Sequence, residues 1–461
     1  MYKAIILAAG EGTRMKSKKT KVMHELLYKP MITYVLDTVF ASGCDEVITV
    51  VGRNKDQLES TLSNYNTRIV YQDPEIKKYG TGYAANLCTE FINKDDKVVI
   101  VFGDAVLLNA NVLNELYEAH NNVNAEISVL SAVLDDPKEY GRIIRQSGEF
   151  KEIIEYKELD KTKSYTNEIN SGIFLFSGKA FLETVPYLDC KNLKQEYLLT
   201  DAIKIAINKN LRVHCHATSD TDVVLGVNDR EDLILCENIL KNKIINNFLK
   251  NGVTIHNPET TIISPDVKIN SDVEIWGNVR IFGKTEIDSE AVITDSIIND
   301  SFVGKGSRIT NSVVEESKIY DNVTVGPYAH LRPKSILNNN VKLGNFVEIK
   351  NSVIGEGTKA AHLAYIGDAD LGKNINIGCG VIFANYDGKN KHRSVVEDFT
   401  FVGSNSNIVA PVKLGKNSFI AAGSTITKDV EEGSLSIERS EQVNKIGWVE
   451  KKGLKKGGKN D

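Results

Sequence analysis

Apolar residues in the second half of the chain recur every six positions. Val267, Val273 and Val279 set one beat, and Ile269, Ile275, Ile281, Ile287 and Ile293 keep it two residues later. It continues through Ile297, Val303 and Ile309, then Val313, Ile319, Val325 and Leu331, and returns at Val402, Ile408, Leu414, Ile420 and Ile426. An amphipathic helix repeats near 3.6 and a half-exposed strand at 2. A period of six predicts one short strand and one tight turn per repeat, with three repeats closing one coil of a triangular β-helix. The apolar residue points into the prism. Gly often follows it, as in Val303-Gly304, Leu343-Gly344, Ile354-Gly355, Val402-Gly403 and Leu414-Gly415, and is expected to supply backbone freedom at the corners.

The first 230 or so residues follow a different rhythm. Short apolar runs at Ile5–Leu7, Glu46–Val51, Lys97–Phe102 and Ile127–Leu130 read as strands. Helical patterns near Met31–Ser42, Gly82–Ile92 and Asn109–His120 separate them. Such alternation predicts a mostly parallel α/β sheet covered on both faces. Leu233, Leu235, Cys236, Ile239, Leu240 and Ile244 mark one further helix. The organisation expected is therefore an α/β domain over 1–229, a linker helix over 230–251 and a β-helix domain with its tail over 252–461. The lysine-rich stretch Lys451–Lys459 reads as a solvated end.

Composition narrows the class. Hydrophobic residues make up 41% and charged residues 25%, with a net charge of -5, which does not suit a nucleic-acid binder. A buried-strand pattern starts almost at once, so no secretory leader is expected, and no apolar run is long enough for a membrane span. Cysteines at 44, 88, 190, 215, 236 and 379 form no Cys-x-x-Cys pair and read as reduced thiols of a cytoplasmic protein. His214-Cys215-His216 puts two imidazoles on one strand face, but no third ligand stands at zinc-like spacing.

Chemistry concentrates in two places. The first strand empties into Leu7-Ala8-Ala9-Gly10-Glu11-Gly12-Thr13-Arg14-Met15, with Lys21 downstream. A small, Gly-rich turn lets backbone N–H groups approach a phosphate or a base, and Arg and Lys add positive charge for a polyphosphate. The spacing is not that of a P-loop, and Met15 spoils a dinucleotide fingerprint. Phe102-Gly103-Asp104 ends a buried strand, where a carboxylate can hold a metal at the carboxyl edge of a parallel sheet. Gln72, Gly80-Thr81, Gly141, Glu155, Asn170 and Asn228 follow in turn-like settings. In the second half the six-beat breaks around His330–Pro333, Asn345–Lys350, Lys359–Asp368, Asn376–Gly380 and Asn385–Lys391. There His362 is set among Arg332, Lys350, Tyr365, Asn385 and Lys391 on coils that should stack. Neutral imidazole suits a base for an amine attacking a thioester; Arg and Lys suit a phosphate. Glu348 is placed to orient the imidazole.

The string Leu-x-x-Gly-x-Gly-Thr-Arg-Met with its downstream Lys resembles the signature of the sugar-phosphate nucleotidylyltransferases. Both halves together resemble the bifunctional bacterial N-acetylglucosamine-1-phosphate uridyltransferase/glucosamine-1-phosphate N-acetyltransferases, over essentially the whole chain. The resemblance implies a Rossmann-like nucleotidyltransferase domain, then a left-handed parallel β-helix, and a homotrimer with shared acetyltransfer sites. It implies that His362 activates the amine of glucosamine-1-phosphate toward acetyl-CoA. Arg332, Lys350, Tyr365, Asn376 and Lys391 would hold that sugar phosphate, and Cys379, Asn385, Tyr386, Ser404, Ala422 and Arg439 the acetyl-CoA. The N-acetylglucosamine-1-phosphate formed would then attack UTP. Leu7, Ala8, Ala9, Gly10, Gln72, Gly80, Thr81, Phe102 and Gly103 would serve the nucleotide, and Gly141, Glu155 and Asn170 the sugar. Asp104 and Asn228 would hold Mg²⁺, with Arg14 and Lys21 neutralising phosphate charge.

The chain departs from that family's usual pattern in several places. Thr20 replaces a proline before the lysine, Ala105-Val106 replaces Val-Pro, and Ala361 replaces a glycine before His362. Cys379 stands where alanine is usual, and the loop Asp73–Tyr79 is longer. Ala361 would matter if that backbone needs positive φ. Two other readings share the plan: a monofunctional nucleotidylyltransferase with a structural β-helix, and a non-catalytic scaffold. The constellation around His362 speaks against the first, and Arg14, Lys21, Asp104 and Asn228 against the second.

Overall fold

The structure, a computed structural model, describes residues 1–53, 55–76, 78–160, 162, 164–192 and 195–454. The chain forms two compact units, Met1–Lys243 and Ile244–Asp461. The long helix Arg230–Lys250 runs through the division between them.

In the first unit the strand Tyr2–Ala8 is buried along nearly its whole length. It pairs in parallel with Glu46–Val51 on one side and Lys97–Phe102 on the other. Thr67–Tyr71 extends the sheet beyond Glu46–Val51. The sheet is not uniformly parallel: Glu168–Ser177 runs antiparallel to both Lys97–Phe102 and Ile127–Val133. A hairpin of Arg142–Gln146 and Glu149–Ile154 branches from it. Two apolar cores lie against the sheet. One holds Ile6, Ile32, Leu36, Val99 and Leu116; the other holds Ile5, Ile48, Ile100, Phe174 and Phe181. Burying each such side chain stabilises by about 1.5–3 kcal/mol. The helix expected near Gly82–Ile92 is shorter, Thr81–Asn86, followed by a 3-10 turn at Thr89–Phe91. Met31–Ala41 and Ala110–Asn122 match their apolar patterns.

The second unit is a stack of short parallel strands on three faces. Lys268 pairs with Glu286 and Phe401 with Phe419, each eighteen residues on, which is three hexapeptides per coil. Inside, Ile263, Ile281, Ile298, Val314, Leu331, Ile349 and Ile366 stack in one continuous core. Replacing one of them by Ala should cost about 2–5 kcal/mol. At two coils the inward residue is one later than the beat suggests. Ile298 and Val314 are fully buried, whereas Ile297 and Val313 lie half-buried on the outside. Those coils are a residue or two short: Ile281 pairs with Ile298 and Ile298 with Val314.

The glycines also serve differently from expectation. None of Gly304, Gly344, Gly355, Gly403 and Gly415 adopts positive φ. A Cβ at Gly415 would sit 2.6 Å from the backbone nitrogen of Glu432 on the next coil, so these glycines permit close stacking. The left-handed corners are filled largely by Asn and Asp, among them Asp272, Asn311, Asn322, Asn340, Asn374, Asn405 and Asn417. Their short polar side chains tolerate that conformation. Buried Ser hydroxyls tie one coil to the next, as where Ser312 N–H donates to Ser296 Oγ at 3.1 Å and Ser317 N–H to Ser301 Oγ at 3.0 Å.

Candidate active sites

In the first unit, the turn after Tyr2–Ala8 opens a cleft of about 210 Å³, lined by Ala8, Ala9, Gly10, Thr20, Gly52 and Leu58 among others. Gly12 has φ 62, and a Cβ there would sit 2.6 Å from Lys21 Cβ. Glycine at this point lets the lysine pass under the turn. Lys21 Nζ then reaches the Asp104 carboxylate and lies 3.5 Å from Asn228 Oδ1. Arg14 Nη2 donates to the same Asn228 oxygen at 2.9 Å. Two cations and two hard oxygen donors, far apart in sequence, therefore meet at the carboxyl edge of the sheet. Asn228 is fixed from behind, since its N–H donates to Asp232 Oδ2 at 2.9 Å. Gly103 N–H bonds Leu7 O at 3.0 Å, which joins the Phe102–Asp104 turn to the first strand.

The remaining first-unit candidates lie on neighbouring loops. Gln72 closes Thr67–Tyr71 by donating to Val51 O at 2.8 Å. Thr81 Oγ1 accepts from Leu199 N–H at 3.1 Å, and Glu155 Oε1 from Thr200 Oγ1 at 3.0 Å. Asn170 N–H donates to Gly141 O at 2.9 Å. Beneath this pair, Arg145 grips Glu168 with two bonds of 2.7 Å. Burial works against the Glu168 charge, yet Arg145 and Ser131 hold its carboxyl below the usual range. Thr200, Asp232 and Arg145 carry no motif of their own, and only the folded packing reveals their supporting roles. Ala105 and Val106, which replace the family's usual Val-Pro, are buried.

In the second unit, the strands Lys342–Lys350 and Lys359–Gly367 turn a corner and contribute to two faces. Their register sets Glu348 beside Tyr365, Lys350 beside Gly367 and Asn345 beside His362. The expectation that Glu348 orients His362 is not met. Three residues of strand separate them, and Glu348 Oε1 instead accepts from Arg332 Nη1 at 2.9 Å. That bond raises the Arg332 pKa. The neighbouring Lys391 ammonium, and after it Arg332, push the Lys350 ammonium below the ordinary lysine value. A Cβ on Gly367 would collide with Tyr365 Oη and approach Asn385 Nδ2, so those polar tips converge over it. Asn385 is held by the buried carboxylate of Asp368. Arg332, Lys350, Tyr365, Asn385 and Lys391 thus form one cluster with excess positive charge.

Lys391 rides on a small excursion from the coil. Tyr386 bridges Lys391 across it, with Tyr386 Oη donating to Gly388 O at 2.6 Å. The N–H groups of Asn390 and Lys389 and the His392 imidazole at 2.7 Å converge on Asp387 and hold its pKa down to about 2.

His362 is exposed at the corner of its strand. From this corner a ladder of backbone bonds climbs the prism. Gly380 N–H donates to Leu363 O at 2.7 Å, Asn405 N–H to Cys379 O at 2.8 Å, and Gly423 N–H to Ser404 O at 2.8 Å. Arg439 Nη1 reaches Ala422 O at 2.6 Å. Cys379, Ser404, Ala422 and Arg439 therefore share one exposed edge that starts beside His362. Asn376 pairs with Lys359 at the other end of the strand from Gly367, so a single chain does not bring it to the Lys350–Lys391 cluster. Ala361 does not adopt positive φ, and the corner makes no demand for glycine there.

A nucleotide-type turn with paired cations, fused to a hexapeptide prism bearing a histidine corner, defines a nucleotidyltransferase–acyltransferase fusion. Family models agree at both ends. The MobA-like NTP transferase domain matches residues 4–147, the GlmU-like C-terminal hexapeptide residues 295–376, and the bacterial transferase hexapeptide residues 393–428. The prism is thus a left-handed β-helix of hexapeptide repeats. The chain is 45% identical to the bifunctional protein GlmU of Clostridioides difficile, over 98% of each chain. It is 42% identical to that of Listeria innocua, over 97% of each, and 41% identical to that of a Geobacillus strain, over 98% of each. The chain belongs to the GlmU family of bifunctional uridyltransferase/acetyltransferases. The readings with one activity or none fall away.

Proposed function

We propose that the second unit transfers the acetyl group of acetyl-CoA to the amine of glucosamine-1-phosphate. The first unit then joins the resulting N-acetylglucosamine-1-phosphate to UTP, giving UDP-N-acetylglucosamine and pyrophosphate. The observation that carries the acetyl half is the cluster of Lys350, Lys391 and Arg332, whose cations crowd one another. A phosphate dianion relieves that repulsion. With the phosphate held there, His362 takes the proton from the amine as its nitrogen attacks the thioester carbonyl and the CoA thiolate leaves. Cys379, Ser404, Ala422 and Arg439 line the path of acetyl-CoA, with Asn385 and Tyr386 beside the acetyl group.

In the uridyl half the phosphate oxygen of the acetylated sugar displaces pyrophosphate from the α-phosphate of UTP. Lys21 and Arg14 neutralise the charge that builds on the phosphates, a contribution of position and electrostatics. Asp104 and Asn228 suit Mg²⁺, because their oxygens already converge on one cation, the Lys21 ammonium. Asp104 and Asn228 would hold the ion, which would supply positive charge beside the triphosphate.

A homotrimer with shared acetyltransfer sites fits the separation of Asn376 from the phosphate cluster. It also fits an exposed apolar corner of Tyr328, Phe346 and Leu363, 58%, 60% and 57% exposed. The six cysteines are free, as suits the cytoplasm. Among the described residues no helix is long and apolar enough to cross a membrane. Incubating the protein with glucosamine-1-phosphate, acetyl-CoA, UTP and Mg²⁺ and following the sugars by mass spectrometry tests the whole reading. UDP-N-acetylglucosamine is the expected product. Accumulation of N-acetylglucosamine-1-phosphate would reject the uridyl half, and the absence of any new sugar would reject both.

A further inference from the structure

Lys21 sits between Asp104 and Asn228, yet it follows an exposed segment, Lys16–Lys19. The residue that joins them, Thr20, is buried and has φ -59 and ψ 145. Proline is locked near that φ by its ring, whereas threonine is free to leave it. Here the lock comes from outside. The Thr20 N–H donates to Gln57 Oε1 at 2.7 Å, and Gln57 Nε2 donates to Lys18 O at 3.2 Å. Gln57 stands on the helix Lys55–Leu62, whose next residue, Leu58, is buried in the apolar core. Leu58 and Thr20 line the same cleft. The amide therefore ties residues 18–20 to an anchored helix immediately before Lys21.

We propose that Gln57 is a positioning residue for uridyl transfer. Its bonds to Thr20 N–H and Lys18 O hold Thr20 in the conformation that a proline would impose covalently, and so present Lys21 to the phosphates. The inference rests on the reading of Lys21 as the charge-neutralising group. Small misplacements of such a group lower turnover more than ground-state binding.

The test compares Gln57→Ala, the double variant Thr20→Pro/Gln57→Ala, and Lys21→Ala in the full chain. Gln57→Ala should lower kcat of uridyl transfer about tenfold, with KM for UTP little changed. The same preparation should keep full acetyl transfer, which reports that the chain folds. The double variant should recover to within about twofold of the parent, because proline sets φ without needing an acceptor. A merely structural loss at Gln57 would not be rescued at Thr20. Full activity in Gln57→Ala, or a double variant no better than the single, would overturn the proposal. If Lys21→Ala itself kept uridyl transfer, the reading of Lys21 would fall with it. If only Lys21→Ala were impaired, the role of Gln57 alone would be refuted.

Discussion

In the first unit the polar groups come from residues 14, 21, 104 and 228, and they meet already bonded to one another, Lys21 with Asp104 as an ion pair and Arg14 with the neutral Asn228 amide. In the second, Arg332, Lys350 and Lys391 come from neighbouring coils and meet as like charges, with Glu348 pairing only Arg332. The first site sets one carboxylate, Asp104, against two cations, and under the proposed function phosphates would compete with Asp104 for Lys21. In the second, Lys391 and Arg332 disfavour the Lys350 charge, and under the proposed function a phosphate would relieve that. Backbone bonds between coils fix the strand that carries Lys350, whereas Lys391 stands on an excursion closed by its bridge to Tyr386.

The sharpest way to break this comparison is to remove one key group from each site. Asp104→Ala should abolish uridyl transfer and spare acetyl transfer. His362→Ala should lower acetyl transfer by about 10²–10⁴-fold, as expected for a general base, and spare uridyl transfer. Separate assays of the two half-reactions decide it, and loss of both activities in either variant would contradict independent sites.

The repulsion in the second site has a sign that calorimetry can read. Lys350 is held below its ordinary value in the free protein, and a bound phosphate raises it again. Binding of glucosamine-1-phosphate should then take up protons at alkaline pH, between the free and bound values, and affinity should fall as pH rises through the free value. Titrations in two buffers of different ionisation enthalpy would show this uptake. Lys391→Gln should diminish it, because the crowding partner is gone.

Pairing in the first site predicts the opposite behaviour toward a cation. Lys21→Met should bind Mn²⁺ several-fold more tightly than the parent in the absence of nucleotide, since the ammonium no longer competes for Asp104 and Asn228. Electron spin resonance of free Mn²⁺ would measure it, and weaker binding would count against the competition. Alkylation of Cys379, exposed on the edge proposed for acetyl-CoA, should abolish acetyl transfer, with acetyl-CoA protecting. A failure to protect would move that edge away from the cofactor path. The smallest effect is expected at Ala361→Gly, which should leave acetyl transfer unchanged because the backbone there is not left-handed.

Much of this was legible along the chain because repetition is a one-dimensional signal. The beat of six named the prism, and the break in the beat marked where His362, Lys350 and Asn385 lie. The turn Leu7–Met15 and the end of the strand at Asp104 were visible because each motif is local. Less visible was why glycine follows the apolar residue. Close approach between coils is a relation between residues such as Gly415 and Glu432, and a string of letters does not show which coil lies above which. The short coils that turn Ile298 and Val314 inward escaped for the same reason.

Residue order alone determined the two-part plan and the class of each activity, since these depend on residue type and spacing. Tertiary structure decided what each group faces. It gave Glu348 to Arg332 and withheld it from His362, set Lys391 against Lys350, and placed Lys21 on Asp104. It also showed Thr20 held by Gln57 from a separate helix. The physical reason is that hydrogen bonds and close ion pairs need their atoms within a few ångströms. A difference of three residues in register therefore changes the partner, and with it the role.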